Sequence, residues 1–469
     1  MFLLEPMIDL DYIVKTGLEL GVDFIDVRYQ DYYYESLVVD NGVLREATVT
    51  YSSGIGARVL VKGLMGYAST NDLSRRGMRE AVESAIKLAR VLGHHGMEQG
   101  LLERPVYRDR IVSHYGLNPE NVDLSEKVEL LFDMYKAGRG VQGISSLIIP
   151  YGYERDHRIY VSSRGDYIDF TRRMIGVGVR AVASVEGRYE MLWTSESGVA
   201  GWEFIKSFNW LNYVAENSKL AVDAARAEHV KPGRYDIVLD NEIVGLMLHE
   251  AFGHASEADI VEAGGSVLGG RIGETVASPL VSIIDDGRVE GGVYVPYDDE
   301  GTPKLKTYTV RNGMLSSFLH SLVTARGLGA SPTGNARVMS FRNTLLVRQT
   351  NTYMEPRDWE PEEMIRDMGR GLYIRGKGAM GGEVNPLTGA FTFTSGPSYI
   401  VENGEPIKLV KGVMLSGIIL ETLKNVDAVG KDLVVKTSVF GGCGKSGQMV
   451  RVGDGGPHVR VRGFTIGGG

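Results

Sequence analysis

The stretch Ile168-Asp169-Phe170-Thr171-Arg172-Arg173-Met174-Ile175-Gly176-Val177-Gly178-Val179-Arg180-Ala181-Val182-Ala183-Ser184-Val185 alternates apolar with other side chains, the period of a half-buried strand. Leu44 to Tyr51 and Ile55 to Val61 repeat the pattern. The 61 glycines, close to double the usual share, punctuate such segments at their ends or at expected bulges. Many antiparallel strands joined by tight turns follow from this. Helical periodicity is rarer. It runs over Asp72 to Leu92, with apolar positions Met78, Val82, Ala85, Ala89 and Leu92 and Asn71 as the expected N-cap. Shorter helical patterns cover Ile8 to Leu20, Leu124 to Ala137 and Trp202 to Ala227. The fold class is α+β, with predominantly antiparallel sheets and a few helices.

A chain of 469 residues suggests two domains. The boundary falls at Val230-Lys231-Pro232-Gly233, which gives an N-terminal α+β domain, 1–230, and a β-rich catalytic domain, 231–469. No internal repeat is evident. A net charge of −8 without a Lys/Arg run offers no footprint for nucleic acid. The single cysteine excludes an intrachain disulfide and fits a reducing compartment. Met1-Phe2-Leu3-Leu4-Glu5-Pro6 lacks the apolar core of a signal peptide, and no apolar run is long enough to span a bilayer, so the expected location is the cytoplasm. Tyr29, Tyr32, Tyr33 and Tyr34 read as partly buried packing residues with exposed hydroxyls.

Chemistry concentrates in His249-Glu250-Ala251-Phe252-Gly253-His254. Neutral imidazoles are common zinc ligands, and a carboxylate beside one can serve as general base toward water. The familiar H-E-x-x-H helix places both histidines one turn apart, but here three residues follow the Glu. On an ideal helix, residues five apart point roughly 140° away from each other. A π-bulge restores the alignment, so a π-bulge or a helix break is predicted between Glu250 and His254, eased by Gly253. The preceding strand, Tyr235 to Leu239, is followed by Asp240-Asn241 as the expected cap of this helix.

Catalytic zinc usually takes three protein ligands. Cys443, in Phe440-Gly441-Gly442-Cys443-Gly444-Lys445-Ser446-Gly447-Gln448, is one candidate, with Lys445 placed to favour its thiolate. A lone cysteine is also commonly a small buried hydrophobe. Glu257, three residues beyond His254, competes for the role; Asp259 reads as an outer partner or a solvated acid. Two apparent nucleotide motifs fail in context. Gly444-Lys445-Ser446 ends a Walker A pattern whose first glycine is replaced by Val439. Gly376-Lys377-Gly378-Ala379-Met380-Gly381 is followed by Gly382-Glu383-Val384-Asn385-Pro386, which cannot open a helix.

The chain resembles the TldD/PmbA family, specifically its TldD branch, in the H-E-x-x-x-H element and the Cys-Gly-Lys-x-Gly-Gln loop. The likeness continues through Ser256-Glu257-Ala258-Asp259, Asp298-Asp299-Glu300-Gly301-Thr302-Pro303, Pro332-Thr333-Gly334-Asn335 and Thr388-Gly389-Ala390-Phe391-Thr392-Phe393. It spans the C-terminal half in order, and the N-terminal half more loosely through Val39-Asp40-Asn41-Gly42. The resemblance implies a zinc metallopeptidase with one zinc per chain on His249, His254 and Cys443, and Glu250 as the catalytic base. It also implies a partner, as a homodimer or a heterodimer with a PmbA-like subunit. The expected substrates are unfolded or small peptides, added to a sheet edge. His320 is a speculative stabiliser of the oxyanion, more readily a helix-face histidine. The alternative is a non-catalytic peptide-binding or regulatory subunit of such a complex, against which the intact Glu250 argues. Metal-dependent hydrolysis of a non-peptide ester or amide rests on the same residues.

Overall fold

A computed structural model describes residues 8–92, 100–379 and 381–468. Its N-terminal part is one seven-stranded sheet of β1 (Phe24–Asp40), β2 (Val43–Val61), β3 (Leu64–Thr70), β4 (Arg108–Val112), β5 (Ile144–Ser162), β6 (Tyr167–Val185) and β7 (Arg188–Gly198). The order is β3-β2-β1-β5-β6-β4, with β7 also paired to β6. Every pairing is antiparallel except β4 with β6. Leu44 to Tyr51 and Ile55 to Val61 are halves of one strand, β2. The β1–β2 hairpin turns on Asn41 and Gly42, both at positive φ, the two-residue geometry that matches strand twist.

Both faces of this sheet are buried, for different reasons. Ile25, Val27 and Tyr29 of β1 pack beneath α1 (Leu10–Glu19) and α2 (Arg75–Leu92). Farther along, Leu37 and Val39 join Ile175 to Ala183 of β6 under α3 (Leu124–Arg139), α4 (Trp202–Ser207) and α5 (Trp210–Arg226). The opposite face carries Asp26, Arg28 and Gln30, all buried. It meets the C-terminal half through polar contacts: Arg58 with Asp26 and Glu300, Arg158 with Asp299 at 2.8 Å, and Gln30 accepting from the Phe341 N–H at 3.1 Å. The change of phase in β6 around Ile175-Gly176 is a change in which face is apolar, and no register shift accompanies it.

Several local expectations change. Helix α2 begins at Arg75, because the Ser74 hydroxyl accepts from the Gly77 N–H at 3.1 Å; Asn71 lies before it and does not cap. The Leu92 side chain, and the Met1–Pro6 segment, lie outside the described residues. Trp202 to Ala227 is two helices, separated where the Asn209 side chain accepts from the Asn212 N–H. The Tyr32 hydroxyl donates to the buried Glu154 at 3.2 Å.

The C-terminal part holds a ten-stranded and a six-stranded sheet. Strand Gly233–Leu239 lies between Gly371–Ile374, parallel, and Val459–Gly468, antiparallel. Helix α6 (Asn241–Met247) follows, and the Asp240 carboxylate caps it by accepting from the Ile243 N–H at 3.0 Å and from the Gly376 N–H at 2.9 Å. Ile243, Val244, Met247 and Leu248 enter the largest apolar core. Helix α6 rests on strand Gly453–Gly456 so closely that a Cβ on Gly245 would overlap Gly455. The Gly376–Gly381 segment leads into strand Gly381–Asn385, so it opens no helix. Among the described residues no helix is long and apolar enough to cross a membrane.

Candidate metal centre

Beyond Met247 the helix widens into a π-helix over Leu248–Gly253, then tightens to a 3₁₀ turn, His254–Ser256. This is the distortion that the five-residue histidine spacing requires, and it puts both rings on one side, centroids 5.3 Å apart at 79°. Gly253 sits at φ −59°, ordinary helical backbone, so its use is not conformational freedom. A Cβ there would overlap the Gln349 side chain. Gln349 is fully buried; its amide donates to the His249 carbonyl at 3.0 Å and its oxygen accepts from the Thr352 hydroxyl at 2.6 Å. It satisfies a carbonyl where the hydrogen-bond ladder changes step.

Cys443 arrives on a separate hairpin, Cys443–Lys445 paired with Gln448–Val450. Ser446 and Gly447, both at positive φ, form its two-residue turn, so the Walker-like residues build a β-turn and not a phosphate loop. Arg348, with no exposed surface, ties down both strands by donating to the Cys443 and Gln448 carbonyls. The Cys443 sulfur lies 3.3 Å from His254 Nε2. Donor atoms of His249, His254 and Cys443 all fall within 4.8 Å of one another.

Glu257 and Asp259 stand behind this cluster. The Glu257 carboxylate, fully buried, takes His254 Nδ1 at 3.1 Å and Lys445 Nζ at 2.9 Å. Asp259 holds the same ammonium at 2.7 Å. Lys445 is thus engaged by carboxylates, and the histidines are what stabilise the thiolate. Burial pushes the Cys443 thiol up, but the charges and hydrogen bonds of His249 and His254 outweigh it and bring it to about 5. Burial opposes a charged His254 as well, yet hydrogen bonds with Cys443 and Glu257 raise it to about 10. His249 is raised for similar reasons, against burial, chiefly by the Cys443 charge.

Glu250 is the more open of the carboxylates beside the cluster, its side chain 32 % exposed, against 27 % for Asp259, and 4.0 Å from His254 Nε2. Asp454, on the strand beneath α6, is lifted to about 6 by burial, against the pull of His249. His320 is elsewhere engaged: its Nδ1 meets the Thr324 hydroxyl at 3.3 Å and its N–H donates to Thr333. Sequence reasoning missed Gln349, Arg348 and Asp454, which reach the site from a connecting segment and a distant strand without a local spacing. The glycines flanking Asp454 were the only hint.

The residues fit a metal on their own chemistry. His249 Nδ1 is buried with no hydrogen-bond partner among the described residues. Two imidazoles and a thiolate suit a tetrahedral zinc that keeps an open position.

Family models match at residues 25–89 (PmbA/TldA metallopeptidase domain 1), 117–227 (central domain) and 232–468 (C-terminal domain). The chain belongs to the PmbA/TldD family. A Methanothermobacter thermautotrophicus metalloprotease is 36 % identical over 463 residues, covering 98 % of this chain and 99 % of the relative. A zinc metalloprotease TldD homolog of Saccharolobus solfataricus is 28 % identical, covering 97 % and 99 %. Among solved structures, TldE from Thermococcus kodakarensis superposes with a TM-score of 0.77 at 18 % identity, covering 97 % of this chain and 99 % of that one. A Thermotoga maritima chain reaches 0.81 at 22 %, covering 97 % and 99 %. At such identities these two establish the shared fold.

Proposed function

We propose that this PmbA/TldD-family chain is a zinc-dependent peptidase of unfolded or small peptides. Residues 231–469 form its catalytic half, His249, His254 and Cys443 are the metal ligands, and Glu250 is the general base. The supporting observation is the contrast between three buried donors and one half-open carboxylate beside them. Zinc bound there supplies Lewis acidity toward a carbonyl and acidifies water. Glu250 accepts the proton of the attacking water and returns it to the leaving amine nitrogen. Glu257 acts as a positioning residue, accepting from His254 Nδ1 so that Nε2 faces Cys443. Lys445 pairs with both Glu257 and Asp259 and helps hold Glu257 beside His254.

The relatives named as metalloproteases, one of them a zinc metalloprotease, support this reading. The fold shared with TldE supports a second chain of similar architecture as partner, in a homo- or heterodimer. A sole cysteine, which can form no intrachain disulfide, suits the cytoplasm. Glu250→Gln tests the base: the variant retains about one zinc per chain, and hydrolysis of a denatured protein substrate falls by about 10²–10⁴. Undiminished hydrolysis with zinc in place removes Glu250 from the mechanism.

A further inference from the structure

A cavity of about 400 Å³ lies between the polar face of the N-terminal sheet and the Cys443 hairpin. That volume is within the range of small-ligand sites. Five guanidinium groups line it, those of Arg158, Arg172, Arg337, Arg342 and Arg451, against the three carboxylates of Glu154, Asp156 and Asp299. The carboxylates are already engaged. Asp299 pairs with Arg158, Asp156 with Arg158 and Arg172, and Glu154 with Arg172 and Arg451.

Among the described residues, two of the five arginines form no ion pair with an acid. Arg342 donates to the Ser52 hydroxyl at the exposed rim. Arg337, 5 % exposed, donates only to the carbonyls of Gln349 at 2.6 Å and Arg451 at 2.7 Å. Burial and the neighbouring charges of Arg172, Arg348 and Arg158 outweigh the pull of Asp299 and push its pKa down to about 9, so its positive charge is only partly offset. The remaining lining mixes a few polar side chains, Gln30, Thr50, Ser52 and Ser340, with an apolar and aromatic part that includes Phe170, Val295, Val338 and Val450. A ligand suited to this lining joins an anion to an apolar group.

The cavity also touches the metal cluster's own supports. Val450 is the strand partner of Cys443. Arg337 holds the Gln349 carbonyl, and Gln349 holds the carbonyl of His249. We propose that this cavity binds the C-terminal residue of a peptide substrate, its carboxylate on Arg337 and its side chain on the apolar walls. The inference rests on the peptidase reading and adds to it that substrates are engaged by their C-terminal end. A guanidinium reads a carboxylate through paired hydrogen bonds that a neutral amide cannot supply.

The test is direct binding, so that hydrolysis is not needed. Fluorescence anisotropy on zinc-loaded Glu250→Gln compares one labelled peptide ending in a free carboxylate with the same peptide ending in an amide. The carboxylate form is expected to bind at least tenfold more tightly. Arg337→Met is expected to erase the difference, with Arg337→Lys restoring part of it. Should Arg337→Met not fold, Arg342→Ala at the rim is expected to narrow the preference at least threefold. Equal affinities overturn the carboxylate anchor and leave the peptidase reading standing. A preference undiminished in folded Arg337→Met, or in Arg342→Ala where Arg337→Met does not fold, also overturns it. Binding of neither peptide overturns the anchor and the peptide substrate together.

Discussion

At the scale of single residues, the candidate centre divides into groups that local spacing announces and groups it hides. His249, Glu250 and His254 are legible because they lie within six residues, and Glu257 because it falls one turn later. What Glu257 does was not legible, since its partners are a histidine ring nitrogen and the ammonium of Lys445, 188 residues away. Glu257→Gln is expected to weaken zinc binding about 10- to 100-fold, measured by competition with a chromophoric chelator. His320 makes a separate prediction. Burial lowers its pKa to about 4, so the folded chain refuses a proton that the unfolded chain accepts below about 6.5. Its contribution to stability is intact above pH 6.5 and is lost as pH falls toward 4, up to about 3 kcal/mol. Urea melts across that interval should show the loss in the wild type and a smaller one in His320→Gln.

At the scale of elements, the π-helix shows how one extra residue is accommodated. The expected distortion follows from geometry, because two rings five residues apart cannot otherwise share a side. What sequence could not supply was the reason for Gly253, which depends on Gln349 arriving from a segment about a hundred residues farther along the chain. Because Gln349 is held at both ends of its amide, it cannot swing away. Gly253→Ala is therefore expected to cost about 1–3 kcal/mol of stability, seen as a lowered Tm, and to lower zinc occupancy. The Ser446-Gly447 turn carries a related lesson. The same letters that suggest a phosphate loop form a hairpin here, because strand pairing rather than a following helix takes up Gln448 to Val450.

At the scale of the whole molecule, the N-terminal sheet reverses the usual rule for a strand of period two. Asp26, Arg28, Gln30, Glu154 and Asp156 are residue types usually found in solvent, yet all are buried on the face toward the C-terminal half. Charge pairs join the halves, with Arg58 between Asp26 and Glu300, and Arg158 between Asp156 and Asp299. Removing one member of a buried cluster leaves the others uncompensated. Glu300→Ala is expected to destabilise the protein by about 3–5 kcal/mol in urea unfolding, the larger because Glu300 also accepts from the Leu322 N–H.

Sequence alone determined the fold class, the longer N-terminal helices, a few strands such as β2 and β6, and the six-residue histidine motif, because each is written in a short-range period or spacing. Cys443 was recognisable through a family resemblance, since nothing in spacing connects it to His254 across 189 residues. Only the tertiary structure decided that the polar face of β1 is buried as well as the apolar one, why residue 253 is glycine, and that Lys445 serves Glu257 and Asp259 rather than the thiolate. Those outcomes depend on close approaches between segments far apart in the chain, and no local pattern encodes such a distance.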